Sequence, residues 1–230
     1  MALLDPYASL PDLRARLGAN TGTLTTADDS ILTTALLVAS RTIEGPNGTG
    51  RQFNQDVGVT SRVYFPLSPT TVLIDDIATS AGLLVKVDQD DDGTFEDTWS
   101  ATDYLLRPLN GIVNGVTGWP YTRIDGVGGK YFPVAGQGAY MGSISREYFN
   151  STWPLTRKRP AVQVTATFGW PSVPSNIHEA CLILAEELYK LKDAPFGVAG
   201  WQEYGAVRVK ENPMLAYLLA GYSKSQVVFA

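Results

Sequence analysis

A chain of 230 residues with a formal net charge of -5 has room for one ordinary domain, or one domain carrying a large insertion. The modest negative charge argues against general electrostatic binding to nucleic acid, which needs clustered Lys and Arg. The single cysteine, Cys181, excludes an intrachain disulfide framework and a multi-cysteine zinc site. No apolar run approaches the ~20 residues that span a bilayer, and residues 1–6 lack the basic flank and apolar core of a signal peptide. A soluble protein with no membrane partner, made in a reducing cytoplasm, is expected.

The first forty or so residues read as helical. Ser9 is placed to cap a helix that carries Pro11 in its first turn and ends at Gly18. A second helix starts at Thr25-Thr26-Ala27-Asp28-Asp29, where acids suit the positive end of the helix dipole. Leu32, Ala35, Leu36, Ala39 and Ile43 then recur at helical spacing, and Glu44-Gly45-Pro46-Asn47-Gly48 stops the run. Next the period shortens to that of strands. Residues 62–65, 71–74 and 83–87 read as three short strands divided by Pro, Ser, Asp and Gly. Residues 95–99 and 104–108 continue the pattern, with Pro108 marking a strand end or a sheet edge. Residues 110–160 are rich in Gly and aromatics and yield no assignment. The clearest strand covers 161–168, with Val162, Val164, Ala166 and Phe168 on one face.

Helix returns after Ser175. Ile177, Cys181, Leu184, Leu188 and Leu191 form its apolar stripe, and Pro195 and Gly197 end it. Asn212-Pro213 opens a last short helix, a cap followed by Pro at the first helical position. Its apolar face is Met214, Leu215, Leu218 and Leu219, and Gly221 closes it. This order predicts an α+β fold. Residues 1–55 and 170–222 build a small helical core from the N- and C-terminal helices. An antiparallel β subdomain, 56–169, is inserted between them, and 223–230 form a C-terminal arm. Leu36, Ile43, Leu184 and Leu188 are expected to be buried together.

The sharpest local motif runs from Asp88 to Glu96. Asp88, Asp90 and Asp92 alternate as carboxylates before Gly93, as in the first half of a calcium loop. Thr94 would add a carbonyl, and Glu96 a direct or water-mediated ligand. The twelfth position, where a helix–loop–helix calcium site puts a bidentate Glu, is Trp99, and strands flank the loop. The expectation is therefore an acidic hairpin turn with weak calcium binding at most, and no other cofactor. His178 is the one histidine. No nucleophile–base pair, phosphate-binding Gly-rich loop or His-x-x-x-His motif accompanies it, so no catalytic residue is assigned and no enzymatic activity is expected. Cys181 falls on an apolar stripe and reads as a core thiol. Asp75, Asp76, Asp103 and Asp125 could be paired on paper as glycosidase acids, although paired acids are common on surfaces. Arg157, Lys158 and Arg159 form the one basic run, read either as a solvated loop or as a contact with a partner or DNA. Tyr131, Phe132, Tyr140, Tyr148, Phe149 and Trp153 are loop core or interface anchors.

Several segments, taken in order, resemble the head-to-tail adaptor (connector, or head-completion) proteins of tailed bacteriophages. An Ala-rich helix leads into Gly50-Arg51-Gln52-Phe53. A strand runs through Val162-Gln163-Val164-Thr165-Ala166-Thr167-Phe168-Gly169-Trp170-Pro171-Ser172-Val173-Pro174 into an Ala- and Leu-rich helix. Asp193-Ala194-Pro195-Phe196-Gly197-Val198-Ala199-Gly200 and Gly205-Ala206-Val207-Arg208-Val209 follow, and then the Asn212-Pro213 helix ending in Leu218-Leu219-Ala220-Gly221-Tyr222. Together they span roughly half the chain, and residues 131–159 look longer than the family has there. The resemblance implies a viral, non-enzymatic virion protein of the neck, assembled in the host cytoplasm. It implies a homo-oligomeric ring, commonly dodecameric, under the portal protein. That ring would extend the DNA channel, let packaged DNA pass without tight binding, and offer a platform to the next neck or tail protein. Gln226, Val227, Val228 and Phe229 have strong β-propensity with no partner nearby in sequence. They either pack on their own sheet or add to another chain's edge, and the resemblance favours docking on the portal. The alternative is a calcium- or glycan-binding β module of a phage tail or surface protein, against which the flanking helices argue.

Overall fold

In the computed structural model, residues 5–21, 25–134, 159–191 and 212–224 are described. Four α-helices and a seven-stranded antiparallel sheet among them define an α+β fold. The chain divides into two units: Met1–Asn54 with Ser172–Ala230, and Gln55–Pro171.

The first unit is helical. Its helices are α1 (Leu10–Thr21), α2 (Asp29–Glu44), α3 (Ser175–Leu191) and α4 (Pro213–Leu219). The Ser9 hydroxyl accepts the Asp12 N–H at the start of α1. Gly18 does not end this helix, which runs on to Thr21. One Gly costs only about 1 kcal/mol inside a helix, and Leu13 and Leu17, both fully buried, offset that. Before α2, Thr25 and Asp28 bond reciprocally across a single 3-10 turn. The stop after Glu44 is built from Thr49. Its N–H and its hydroxyl both donate to the Ile43 carbonyl, at 2.8 Å each. A Cβ on Gly48 would collide with that same carbonyl.

Helix α3 packs on α2, α1 packs on both, and α4 packs on α3. Leu32, Ala35, Leu36, Ala39 and Ile43 are buried on α2, and Ile177, Ala180, Cys181, Leu184, Ala185 and Tyr189 on α3. Leu36, Ile43 and Leu184 are thus buried as expected. Leu188 is not: it is half-buried, and the neighbouring Tyr189 takes the inward position, its hydroxyl donating to Asp28 at 3.2 Å. The buried face keeps Ile177, Cys181 and Leu184 of the expected stripe and widens to take in Ala180, Leu182 and Ala185. Leu184 is 9 % exposed, at the rim of this core. Leu184→Ala is expected to cost about 2 kcal/mol, the lower end of the range for core leucines, read as a lower denaturant midpoint. In α4, Leu218 is buried but Met214 is exposed, because seven residues bring only two turns to the α3 surface. The positions assigned above to helix ends at Pro195 and Gly197 lie outside the described residues.

The second unit is the sheet: β1 (Thr60–Tyr64), β2 (Pro66–Ser68), β3 (Thr71–Val87), β4 (Asp97–Trp99), β5 (Tyr104–Arg107), β6 (Tyr121–Gly126) and β7 (Val162–Phe168). The order is β1-β7-β3-β6-β5, with β2 and β4 also paired to β3. Strand β7 alternates buried and half-buried, with Val162, Val164, Ala166 and Phe168 inward. The two strands expected at 71–74 and 83–87 are one. Residues 75–82 continue β3 through register shifts rather than a turn, and Gly82 takes a φ of +73° within the irregular part. Strand β6 lies within the stretch left unassigned. Pro108 follows β5 at the sheet edge. Trp99 stacks on Phe132 at 4.5 Å, and Arg62 covers the Phe168 ring at 4.0 Å.

Candidate functional site

Strand β3 delivers the acidic loop. One carboxylate oxygen from each of Asp88, Asp90, Asp92 and Glu96 lies within 4.8 Å of the others. The loop is shaped by its own backbone. The Asp88 carboxylate is buried and accepts the Asp91 N–H at 2.7 Å and the Gly93 N–H at 3.1 Å. Asp90 accepts the Asp92 N–H, Asp92 the Thr94 N–H at 2.6 Å, and Glu96 the Gln89 N–H at 2.9 Å. Gly93 has a φ of +94°, and a Cβ there would press on the Arg159 guanidinium. The Thr94 N–H, with a smaller contribution from Arg159, holds the Asp92 carboxyl below its usual range. These carboxylates are close enough to share a cation, but each already takes a backbone donor. Trp99, in the twelfth position, is buried, and its indole donates to Asp97 at 3.0 Å.

Arg159 of the basic run donates to the backbone carbonyls of Asp91 and Asp92, so it closes the acidic loop. Arg157 and Lys158 lie outside the described residues, as do Gln226, Val227, Val228 and Phe229 of the arm. Of the aromatics singled out, Phe132 is buried and Tyr131 exposed. Tyr140, Tyr148, Phe149 and Trp153 lie outside the described residues.

The remaining acids hold structure. Asp76 is buried and accepts the Trp170 indole N–H at 2.9 Å, and Asp75 binds Arg62 at 2.9 Å. Asp103 accepts the Ser100 N–H at 2.8 Å, and this bond lowers its pKa. His178 meets Asp12 at 3.3 Å on the outside of the helical unit, where the Ser9 hydroxyl, and after it His178, hold the Asp12 carboxyl below its usual range. Burial pushes the Cys181 thiol up, and Ser40 lies 3.4 Å from its sulfur.

One feature escaped the sequence reading. Asp125 on β6 sits between two guanidiniums, Arg107 at 3.1 Å and Arg123 at 3.0 Å, and accepts the Thr71 hydroxyl at 3.2 Å. The register pairs Arg107 with Arg123 and Leu73 with Arg123, so these side chains share one face. Beside them lies an open groove of about 560 Å³, lined by Leu73, Arg107, Pro108, Leu109, Ile112, Val113, Thr122 and Arg123. The available signal was the charge alternation Arg123, Asp125 around a lone inward Ile124.

No family model matches the chain, and no curated protein does. Among solved structures, it is similar to a chain from the virion of a native gene transfer agent particle. That match has a TM-score of 0.51 at 16% identity, and it covers 100% of this chain and 96% of the other. The chain therefore shares its fold with that virion component along essentially the whole of both chains. No described helix is long and apolar enough to cross a membrane.

Proposed function

We propose that this chain is a virion structural protein, and specifically a head-to-tail adaptor. It forms a homo-oligomeric ring under the portal, extends the DNA channel and presents a platform to the next neck or tail protein. The observation that carries this reading is the end-to-end fold match to a chain of a gene transfer agent virion. The adaptor-like segments around Gly50-Arg51-Gln52-Phe53 and Val162 to Pro174 support it independently. Asp76, Asp103, His178 and Cys181 are held in structural contacts, as an assembly protein would have them. The test is a pulldown with portal protein, followed by negative-stain imaging of the chain alone and mixed with portal. Rings seated on the portal are expected, and a chain that neither binds portal nor assembles with it overturns the reading.

On this reading Gln226, Val227, Val228 and Phe229 form a portal-docking arm, with Val227 and Phe229 sharing one face of an added strand. Deleting residues 226–230 is expected to leave the melting temperature unchanged and to abolish portal binding. Retained binding removes the arm from the interface, and a large drop in melting temperature assigns it to the chain's own core.

A second reading, a cation-binding β module, is favoured by one observation: the grouping of Asp88, Asp90, Asp92 and Glu96. The backbone donors already on these carboxylates and the buried Trp99 make the site weak. Calorimetry is expected to give a calcium affinity no tighter than about 10⁻⁴ M, the range of weak extracellular sites. Submicromolar binding abolished by Asp90→Ala would establish a dedicated calcium site instead.

A further inference from the structure

We infer that the groove beside Arg107 and Arg123 receives the acidic loop, residues 88–96, of a second copy of this chain. The inference rests on the assembly reading above and supplies it with an interface. The groove has an uncovered apolar wall: Leu73, Leu109 and Ile112 are 37 %, 48 % and 42 % exposed. Apolar surface gathered around polar groups is the mark of a contact site. Its rim is also unbalanced in charge. Among the described residues, Arg107 and Arg123 share the one carboxylate of Asp125, which leaves one positive charge in excess. Arg62, on the same sheet, has two carboxylates, Asp56 and Asp75, and no such excess.

The acidic loop has the opposite imbalance. Among the described residues, the carboxylates of Asp90, Asp92 and Glu96 cluster beside one guanidinium, that of Arg159, whose hydrogen bonds go to backbone carbonyls. Asp90, Asp92 and Glu96 are exposed, and half-buried Phe95 lies among them as an apolar contact. An arginine fork matches a carboxylate in two parallel hydrogen bonds, so a pair of guanidiniums suits this loop. Loop and groove are different parts of one unit. The loop leaves β3 after Val87, the groove rests on Leu73 near the start of β3, and no groove-lining residue belongs to the loop. Two different, mutually complementary patches on one chain define a head-to-tail contact, and such contacts close into rings or run on as filaments.

The test uses the full chain without calcium, with chelator present, and reads self-association by sedimentation velocity at about 100 μM protein and about 50 mM salt. The wild type is expected to associate, and to dissociate as salt rises to about 500 mM. Arg107→Glu/Arg123→Glu and Asp90→Lys/Asp92→Lys are each expected to weaken association about tenfold or more, because each sets like charges face to face. Mixing the two variants juxtaposes opposite charges at every contact, so association is expected to return in the mixture with alternating subunits. If the groove reversal disturbs the sheet through Asp125, Arg107→Gln/Arg123→Gln with an unchanged melt replaces it, and its mixture with the loop variant is expected to stop at heterodimers joined by the one native contact. The loop variant leaves the sheet pairing untouched. A monomeric wild type, variants that associate normally, or a mixture that stays monomeric each overturns this interface. Portal binding, measured separately, decides the adaptor reading, so the two can fail independently.

Discussion

Phe53→Ala is expected to destabilise the helical unit by about 3–5 kcal/mol, one of the two largest single-site effects anticipated in this protein. Phe53 is fully buried just beyond the turn that ends α2. Its ring meets Tyr7 edge-on at 5.6 Å and Tyr222 at 5.8 Å. It therefore joins three separate stretches: the segment before α1, the segment after α2 and the segment after α4. Its N–H donates to the Tyr7 hydroxyl at 2.9 Å, and that hydroxyl donates in turn to Glu44. Burial, and after it the bond to Glu44, raise the Tyr7 pKa far above its usual value, so the group stays a neutral donor. Removing the ring opens a cavity where these three stretches meet. The measurement is urea denaturation followed by far-UV circular dichroism. A midpoint close to wild type would show that this junction is dispensable.

The second large effect belongs to the sheet. Phe168→Ala is expected to cost about 3–5 kcal/mol in the β unit. Phe168 is 1 % exposed and lies in the core cluster with Val85, Trp99, Ile124 and Val164. Its ring is also a platform for Arg62, which is held there by Asp56 and Asp75 at 3.2 and 2.9 Å. Truncation removes the buried ring and the cation–π contact, the latter worth about 0.5–1 kcal/mol when partly exposed. Denaturation followed by tryptophan fluorescence should show a lower midpoint with an unchanged slope, the sign of lost stability rather than an altered unfolded state. An unchanged midpoint would place Phe168 outside the cooperative core.

Elements whose local pattern agrees with their burial were legible from the residues. Strand β7 is one, since every second residue is apolar and inward. Helix α2 is another, since its stripe and its Gly-Pro stop both belong to a helix. The readings that went wrong share a cause: tertiary contacts overrode the local signal. The segment 75–82 carries Asp, Ser and Gly, which look like a turn, but Ile77 pairs with both Tyr121 and Phe168, and Thr79 with Thr167, so it continues β3 as an irregular part. Strand β6 has one fully buried residue, Ile124, among charged and polar neighbours, so no period stands out. On α3 the inward place goes to Tyr189 and not Leu188, and Tyr189 is held by a bond to Asp28 161 residues earlier in the chain. The acidic loop was visible because Asp-x-Asp-x-Asp-Gly is a local pattern. The Arg107–Asp125–Arg123 cluster was not, because it exists only through the register of β5, β6 and β3.

That register has a consequence for motion. Strand β3 is hydrogen-bonded to β2, β4, β6 and β7, so freeing its backbone requires separating four neighbours. In native-state hydrogen exchange the amides of Val72, Val85 and Val87 should be among the slowest in the sheet, exchanging only when the whole β unit opens. Those of Ser80 and Gly82, within the break in register, should exchange by local fluctuation. A single chain segment would then hold both the most protected positions of the unit and a soft point between them, where the two halves of the sheet can flex against each other without unfolding.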